Sequence, residues 1–304
     1  MKKPTLKSNL FLLLAAAIWG FAFVAQRIGA QYVGSFTFNG VRFALGSLSL
    51  MPLLFSNNKS EPKTNFFSPG VLPAGIIAGS VLFMGASLQQ LGLVETSAGK
   101  AAFITGIYIV IVPLIGTFLK HQIQINTWGG VAIAIIGLYF LSVTESFSIV
   151  RGDLLELIGA FFWAGHILLI DHYTKKIAPL KLCLVQFLTC SALSMAVAVF
   201  TESITLSSLQ KAFIPILYGG FFSVGIAYTL QAVGQKHAKP SHAAIILSLE
   251  SVFASLGGLL ILNENLGFRG YLGCLLMLAG MLLSQLQKLG KPGSNQKSDL
   301  KQSI

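Results

Sequence analysis

Charge is what this chain has least of. Only 10% of its 304 residues are Asp, Glu, Lys or Arg, against about 25% in ordinary soluble domains. A water-soluble globule of this length needs a charged surface, and there is too little charge here to make one. Cysteine is scarce too: Cys183, Cys190 and Cys274 are the three in the chain, all within apolar stretches. They offer no disulfide framework and no metal-ligand spacing, and read as small core residues. The five histidines include no H-E-x-x-H, no G-x-S-x-G elbow occurs, and no Walker loop or dinucleotide fingerprint is present. Metal hydrolysis, serine-nucleophile chemistry and nucleotide binding are therefore set aside, and no cofactor or metal is expected.

What the chain has instead is apolar length. Hydrophobic residues make up 54% and mean hydropathy is +0.75. The apolar residues fall into ten stretches near 9–29, 34–55, 70–93, 97–119, 126–143, 152–172, 180–200, 210–234, 240–262 and 266–287. A helix of about 20 residues, at 1.5 Å each, covers the roughly 30 Å hydrocarbon core of a bilayer. The pattern predicts an all-α integral membrane protein with ten transmembrane helices, and a polar tail over 291–304. Met1-Lys2-Lys3 and the run after it imitate a signal peptide. The run continues through Trp19 to Val24, however, and a later segment matches it, so a retained first helix is expected.

The net charge of +11 would suggest nucleic acid in a soluble protein, whereas in a membrane protein basic loops set orientation. With an inside N-terminus, only Arg27, Arg42, Lys100, Arg151, Lys211 and Arg269 of the 21 basic residues fall within helices or outer loops. The rest, Lys59 and Lys63 among them, lie on the inner side. Both termini are expected in the cytoplasm, in a plasma membrane, with no nucleic-acid partner.

The chain is also written twice. Leu88-Gln89-Gln90-Leu91-Gly92 recurs as Leu230-Gln231-Ala232-Val233-Gly234, and Ala101-Ala102-Phe103-Ile104 recurs at the same offset as Ala243-Ala244-Ile245-Ile246. Trp19 answers Trp163 at an offset two residues larger, and Gly130 and Gly137 answer Gly273 and Gly280. Each unit (1–147 and 148–290) holds five predicted helices. Because five is odd, the second copy enters the membrane from the opposite side. Inverted repeats of this kind are the architecture of alternating-access carriers, with a site near the midplane between the halves.

These paired units, with Trp in the first helix of each, resemble the EamA-type branch of the drug/metabolite transporter superfamily. So do the stretch Leu249-Glu250-Ser251-Val252-Phe253, the later Asn263-Glu264-Asn265-Leu266 and the Gly273/Gly280 helix. The likeness runs from about residue 9 to 287. One departure is Ser251, where that family usually has proline. Tyr108 and Gln122 stand opposite Glu250 and Glu264, so those acids belong to the second half only. The resemblance implies a ten-helix secondary carrier for small metabolites, often an exporter, and names no substrate.

Several polar residues fall inside the spans, where they are costly and mark a pathway by default. Glu250, midway along the ninth stretch, reads either as a proton carrier or as a structural hydrogen-bonding carboxyl. Arg42 reads either as a clamp for a substrate carboxylate or as half of a structural pair with an acid such as Glu156. His166 is a candidate titrating group or a packed, hydrogen-bonded histidine. Trp19, Trp163, Tyr108 and Tyr228 would wall an amphipathic cavity or simply pack the core. Gln89, Gln90 and Gln231 recur in both halves and suit either a shared inward face or helix-to-helix bonding. The expected site is Trp19, Arg42, Gln89, Trp163, His166 and Tyr228 for substrate, with Glu250 coupling to protons. The expected function is export of a small, amino-acid-like metabolite by alternating access. The competing readings are an intramembrane enzyme or scaffold, and an exchanger of phosphorylated or nucleotide-linked metabolites.

Overall fold

The structure is a computed structural model that describes residues 6–55, 70–120, 123–142, 150–263 and 267–285. Lys59, Lys63, Gln122, the Glu264-Asn265-Leu266 segment and the tail after 285 lie outside the described residues. Every regular element among those described is helical: α1 (Leu6–Gly29), α2 (Ser35–Phe55), α3 (Val71–Glu95), α4 (Ala98–Gly106), α5 (Tyr108–Phe118), α6 (Ile125–Ser142), α7 (Arg151–Thr174), α8 (Pro179–Thr201), α9 (Leu206–Lys211), α10 (Phe213–Leu217), a π-helical segment (Tyr218–Tyr228), α11 (Thr229–Gln235), α12 (Pro240–Leu247), α13 (Glu250–Ile261) and α14 (Gly267–Gln285). Helices satisfy their own backbone polar groups, which a lipid environment cannot do for them.

Among the described residues eight helices are long and apolar enough to cross a membrane, counting α4–α5, α10–α11 and α12–α13 as one span each. The two other predicted spans correspond to α2, which carries Asn39 and Arg42, and the shorter apolar α6. Pro179 and Pro240 open α8 and α12 at positions where a missing N–H costs nothing. Glu202, at the end of α8, closes the start of α2 by accepting from Phe36 N (2.9 Å), Thr37 N (2.8 Å) and Thr37 Oγ1 (2.7 Å).

Polarity is arranged inside out. Phe118, Phe200 and Phe268 are each more than four-fifths exposed, a display of apolar surface that water would not tolerate and lipid tails require. The buried residues, by contrast, include Asn39, Arg42, Gln90, Glu156, His166 and Gln186. The bundle turns its grease to the bilayer and its polar groups to its own axis.

α6 and α14 cross through their glycines. A Cβ on Gly130 would lie 2.6 Å from Gly280 O, one on Gly280 the same distance from Gly130 O, and one on Gly137 2.7 Å from Gly273 O. The reciprocity follows from the repeat, since exchanging the two copies maps each contact onto the other. Gly130→Ala is expected to destabilise the protein by about 1–3 kcal/mol through overpacking, read as a lower melting temperature in detergent. Gly129→Ala is the control, since a Cβ there meets nothing closer than Leu283 at 3.4 Å. Equal melting temperatures for the two variants would show that the crossing yields easily.

Two features depart from the predicted continuous spans. The rod α4–α5 breaks at Ile107, and α12–α13 breaks at Ser248–Leu249, the same place in each repeat. At both breaks the backbone tightens to i→i+3 bonds, with Ile107 N to Ile104 O at 3.1 Å and Leu249 N to Ile246 O at 3.2 Å. The eighth predicted span is π-helical over Tyr218–Tyr228, where its counterpart in α3 is ordinary α-helix.

Candidate functional site

Both breaks open onto one cavity. Its empty space, part of it open to solvent, comes to about 430 Å³. Its wall is built in pairs from the two repeats: Trp19 with Trp163 and Phe23 with Ile167 at an offset of 144, then Gln89 with Gln231, Thr105 with Leu247 and Tyr108 with Glu250 at an offset of 142. A cavity lined by equivalent positions of both copies lies on the pseudo-symmetry axis between them. Gln26, Arg42, Ser223 and Tyr228 complete the wall, and their counterparts do not line it.

Tyr108 and Glu250 begin the helices that follow the two breaks, and they touch each other across the axis. The Tyr108 hydroxyl donates to Glu250 Oε1 at 2.9 Å. A carboxylate and a phenol thus occupy positions that the duplication made equivalent.

Arg42 sits on α2, 2% exposed, and is held on three sides. Its Nε donates to Asn39 Oδ1 at 2.9 Å, and Asn39 Nδ2 in turn donates to Ala86 O at 3.0 Å on α3. The guanidinium carbon lies 5.1 Å from the Phe43 ring centroid and 5.5 Å from that of Phe38, a favourable cation–π arrangement. Among the described residues the ion pairs are Lys100–Asp153 (2.6 Å) and Lys175–Asp171 (2.7 Å). The Arg42–Glu156 pair weighed from the sequence is thus not formed. Glu156 accepts instead from Thr105 Oγ1 at 2.9 Å. A fixed guanidinium that lines a cavity and meets no protein carboxylate is suited to an incoming one.

Tyr228, delivered by the π-helical turn, is the hub of an aromatic cluster. Trp19 meets it edge-on at 4.6 Å, while Trp163 stacks at 6.3 Å and 23°. Phe43 and Phe187, an equivalent pair at offset 144, close in at 6.0 and 5.8 Å. The Trp19 indole N–H donates to Ser223 O at 3.2 Å. That of Trp163 has no partner among the described residues. Gln89 Nε2 reaches Gln26 Oε1 at 3.3 Å, and Gln231 Oε1 is unpartnered.

Six of the seven residues singled out from the sequence therefore line the cavity: Trp19, Arg42, Gln89, Trp163, Tyr228 and Glu250. His166 does not. It stands one layer behind, fully buried, its Nε2 2.9 Å from Gln186 Oε1 and its ring edge-on to both Trp163 and Tyr228 at about 6 Å. The imidazole thus backs two of the aromatic rings that line the cavity. Gln26, Thr105 and Ser223 went unnoticed in the sequence. For Thr105 a signal existed in the Ala101-Ala102-Phe103-Ile104 repeat that it follows.

The same residues find relatives among known proteins. A profile of the EamA-like transporter family matches residues 6–143 and again residues 150–286. A protein of Archaeoglobus fulgidus named "Uncharacterized transporter" is 33% identical over 93% of this chain and 87% of its own. One of Salmonella typhimurium, named "Probable amino-acid metabolite efflux pump", is 23% identical over 91% of this chain and 94% of its own. A solved crystal structure at 15% identity superposes with a TM-score of 0.75 over 91% of this chain and 96% of the other, a likeness of fold. With the family matched over nearly its whole length, in two successive copies, this chain is a member of the EamA-like transporter family, a membrane transporter rather than an enzyme.

Proposed function

We propose that the protein is a secondary-active carrier that exports small, amino-acid-like metabolites by alternating access, coupled to protons through Glu250. The observation that carries this reading is the axial cavity walled by equivalent residues of both repeats. Ten spans in two oppositely directed sets of five would let the halves rock about that cavity and expose it to each side in turn. The broken rods beside the cavity supply the give such rocking needs, as discontinuous helices do in carriers of other folds. The unequal tryptophans, one bonded across the interface and one not, suit one of two exchanging states.

The lining supports this substrate class. Arg42 takes a carboxylate, Glu250 takes a proton, and Trp19 and Trp163 flank an apolar side group. Arg42 is the one cation in the wall among the described residues, which disfavours phosphorylated metabolites, whose charge calls for more than one. The name of the Salmonella typhimurium relative points to the same class.

The test is counterflow in vesicles of the purified protein, with a panel of free amino acids, with and without an imposed proton gradient. Saturable flux that responds to the gradient is expected. A correctly folded protein that moves none of the panel would sink the substrate class.

Orientation is testable separately. The distribution of Lys and Arg supports an orientation with Ser207, exposed on α9, on the outer side and Lys176 on the inner. In intact cells an impermeant maleimide is expected to label Ser207→Cys, and to reach Lys176→Cys only after lysis. The reverse order would invert the topology.

A further inference from the structure

The cavity mechanism leaves one acid unused. Glu156, in the second turn of α7, is fully buried, and its Oε1 has no hydrogen-bond partner among the described residues. Its Oε2 accepts from Thr105 Oγ1 at 2.9 Å, and Thr105 lines the cavity. One turn earlier on α7, Asp153 accepts from Thr96 Oγ1 at 2.8 Å and pairs with Lys100 Nζ at 2.6 Å, and the Lys100 side chain is 23% exposed. Acid, acid and hydroxyl thus run in file from the partly exposed Lys100 at the Arg151 end of the bundle to the cavity wall.

The duplicated fold supplies its own control for what a structural residue would be here. Glu156 packs on Gly92, where a Cβ would come within 2.8 Å of Oε1 and 2.9 Å of Cγ. The equivalent glycine of the second repeat is Gly234, and it packs on Leu12, with Cγ 3.0 Å away. Leu12 is the counterpart of Glu156 at offset 144, and Leu247 is the counterpart of Thr105 at offset 142. Helix packing is therefore met by two leucines, Leu12 and Leu247, at one of these two equivalent joints. The other joint holds the Glu156 carboxyl and the Thr105 hydroxyl, at the cost of burying both. Packing does not ask for them. An unpaired carboxylate in that setting is balanced only by taking up a proton or a cation.

We infer that Glu156, with Thr105, is a second proton-binding site, the waypoint through which protons pass between the Arg151 end of the bundle and Glu250. This deepens the proton-coupled reading of the cavity and rests on it for the role of Glu250. At this end of the bundle the titratable and charged groups on the elements around Glu156 are Arg151 and Asp153 on its own helix, Glu95 on α3, Lys100 on α4, Tyr108 on α5 and Glu250 on α13. Glu95 is engaged, accepting from Gly152 N at 3.0 Å, and Asp153 is paired with Lys100. Glu156 and Glu250 remain as the two acids in the file without a basic partner among the described residues.

The probe is the proton itself, so no substrate is needed. Infrared spectra of the protein in lipid vesicles resolve the carbonyl band of each protonated buried carboxyl as pH is varied or water is exchanged for D₂O. One titrating band is expected to vanish in both Glu156→Gln and Glu156→Leu and to persist in Glu250→Gln. The Glu250 band should exchange with D₂O about tenfold more slowly in the two Glu156 variants, equivalent to about 1.4 kcal/mol on the barrier. The leucine variant copies the packing of the other repeat, and the glutamine variant keeps the polar shape should leucine impair folding. Spectra that superpose on wild type, or unchanged exchange at Glu250, would overturn the inference. Absence of amino-acid flux would instead sink the transport reading and leave these bands untouched.

Discussion

Arg42→Ala is expected to reach the membrane folded and to bind free amino acids about ten- to a hundredfold more weakly, the worth of about 1.5–3 kcal/mol typical of hydrogen bonds to charged groups. The side chain is held by Asn39, Phe38 and Phe43, so its guanidinium is ordered before any ligand arrives and little entropy is left to lose on binding. Arg42→Lys should recover only part of the loss. An ammonium keeps the charge but cannot present two parallel N–H groups, and it stacks less well on the two phenylalanines. Comparing each amino acid with the amine that lacks its carboxylate isolates the contact. Wild type should prefer the amino acid, and the preference should collapse in Arg42→Ala, as a double-mutant cycle between protein and ligand requires. A preference that survives in Arg42→Ala would mean that the carboxylate is bound elsewhere. A loss that falls equally on acid and amine would mark the residue as structural.

How much of this was legible beforehand differs by kind of feature. The class of protein and most of its spans follow from length and apolarity alone, because a bilayer imposes both on each helix separately. The repeat was legible at Gln89/Gln231, Trp19/Trp163 and the four glycines, since identical demands at a shared interface preserve identical residues in both copies. The breaks at Ile107 and Ser248–Leu249 were not. Each replaces an i→i+4 bond by an i→i+3 one inside an unbroken apolar run, and partners from other helices hold them, as Ser251 Oγ does by donating to Ala102 O at 2.8 Å. The π-helical turn was equally hidden. Only the packing of Gly219 and Gly220 against Arg42 and Leu45 shows why two small residues sit there. Glu156 looked like a partner for Arg42 because both are charged and within spans, yet sequence cannot say which side of the axis each side chain takes. The same holds for His166, whose Nε2 meets Gln186 and whose ring does not line the cavity.

Glu250→Gln is expected to abolish accumulation driven by a proton gradient while leaving exchange of substrate across the membrane. Glu250 is 5% exposed, lines the cavity, and its Oε1 accepts from Tyr108. Glutamine preserves the shape and can still accept from that hydroxyl, so the wall should stay intact. What it cannot do is exchange a proton. In an alternating carrier that difference separates two functions: the halves can still rock with substrate bound, but nothing forbids the empty, unprotonated return, so a gradient no longer does work. Uphill accumulation in vesicles should fall to the level reached without a gradient, and flux should lose its pH dependence. Exchange against internal substrate should stay within a few-fold of wild type, about what loss of one neutral hydrogen bond allows. Tyr108→Phe offers the complementary test, since it removes the donor and keeps the acid. It should alter the pH dependence of transport without abolishing it, because the carboxyl that exchanges the proton is still present. If wild type and Glu250→Gln responded alike to pH, the carboxyl would be a structural group fixed to Tyr108 and the coupling would lie elsewhere.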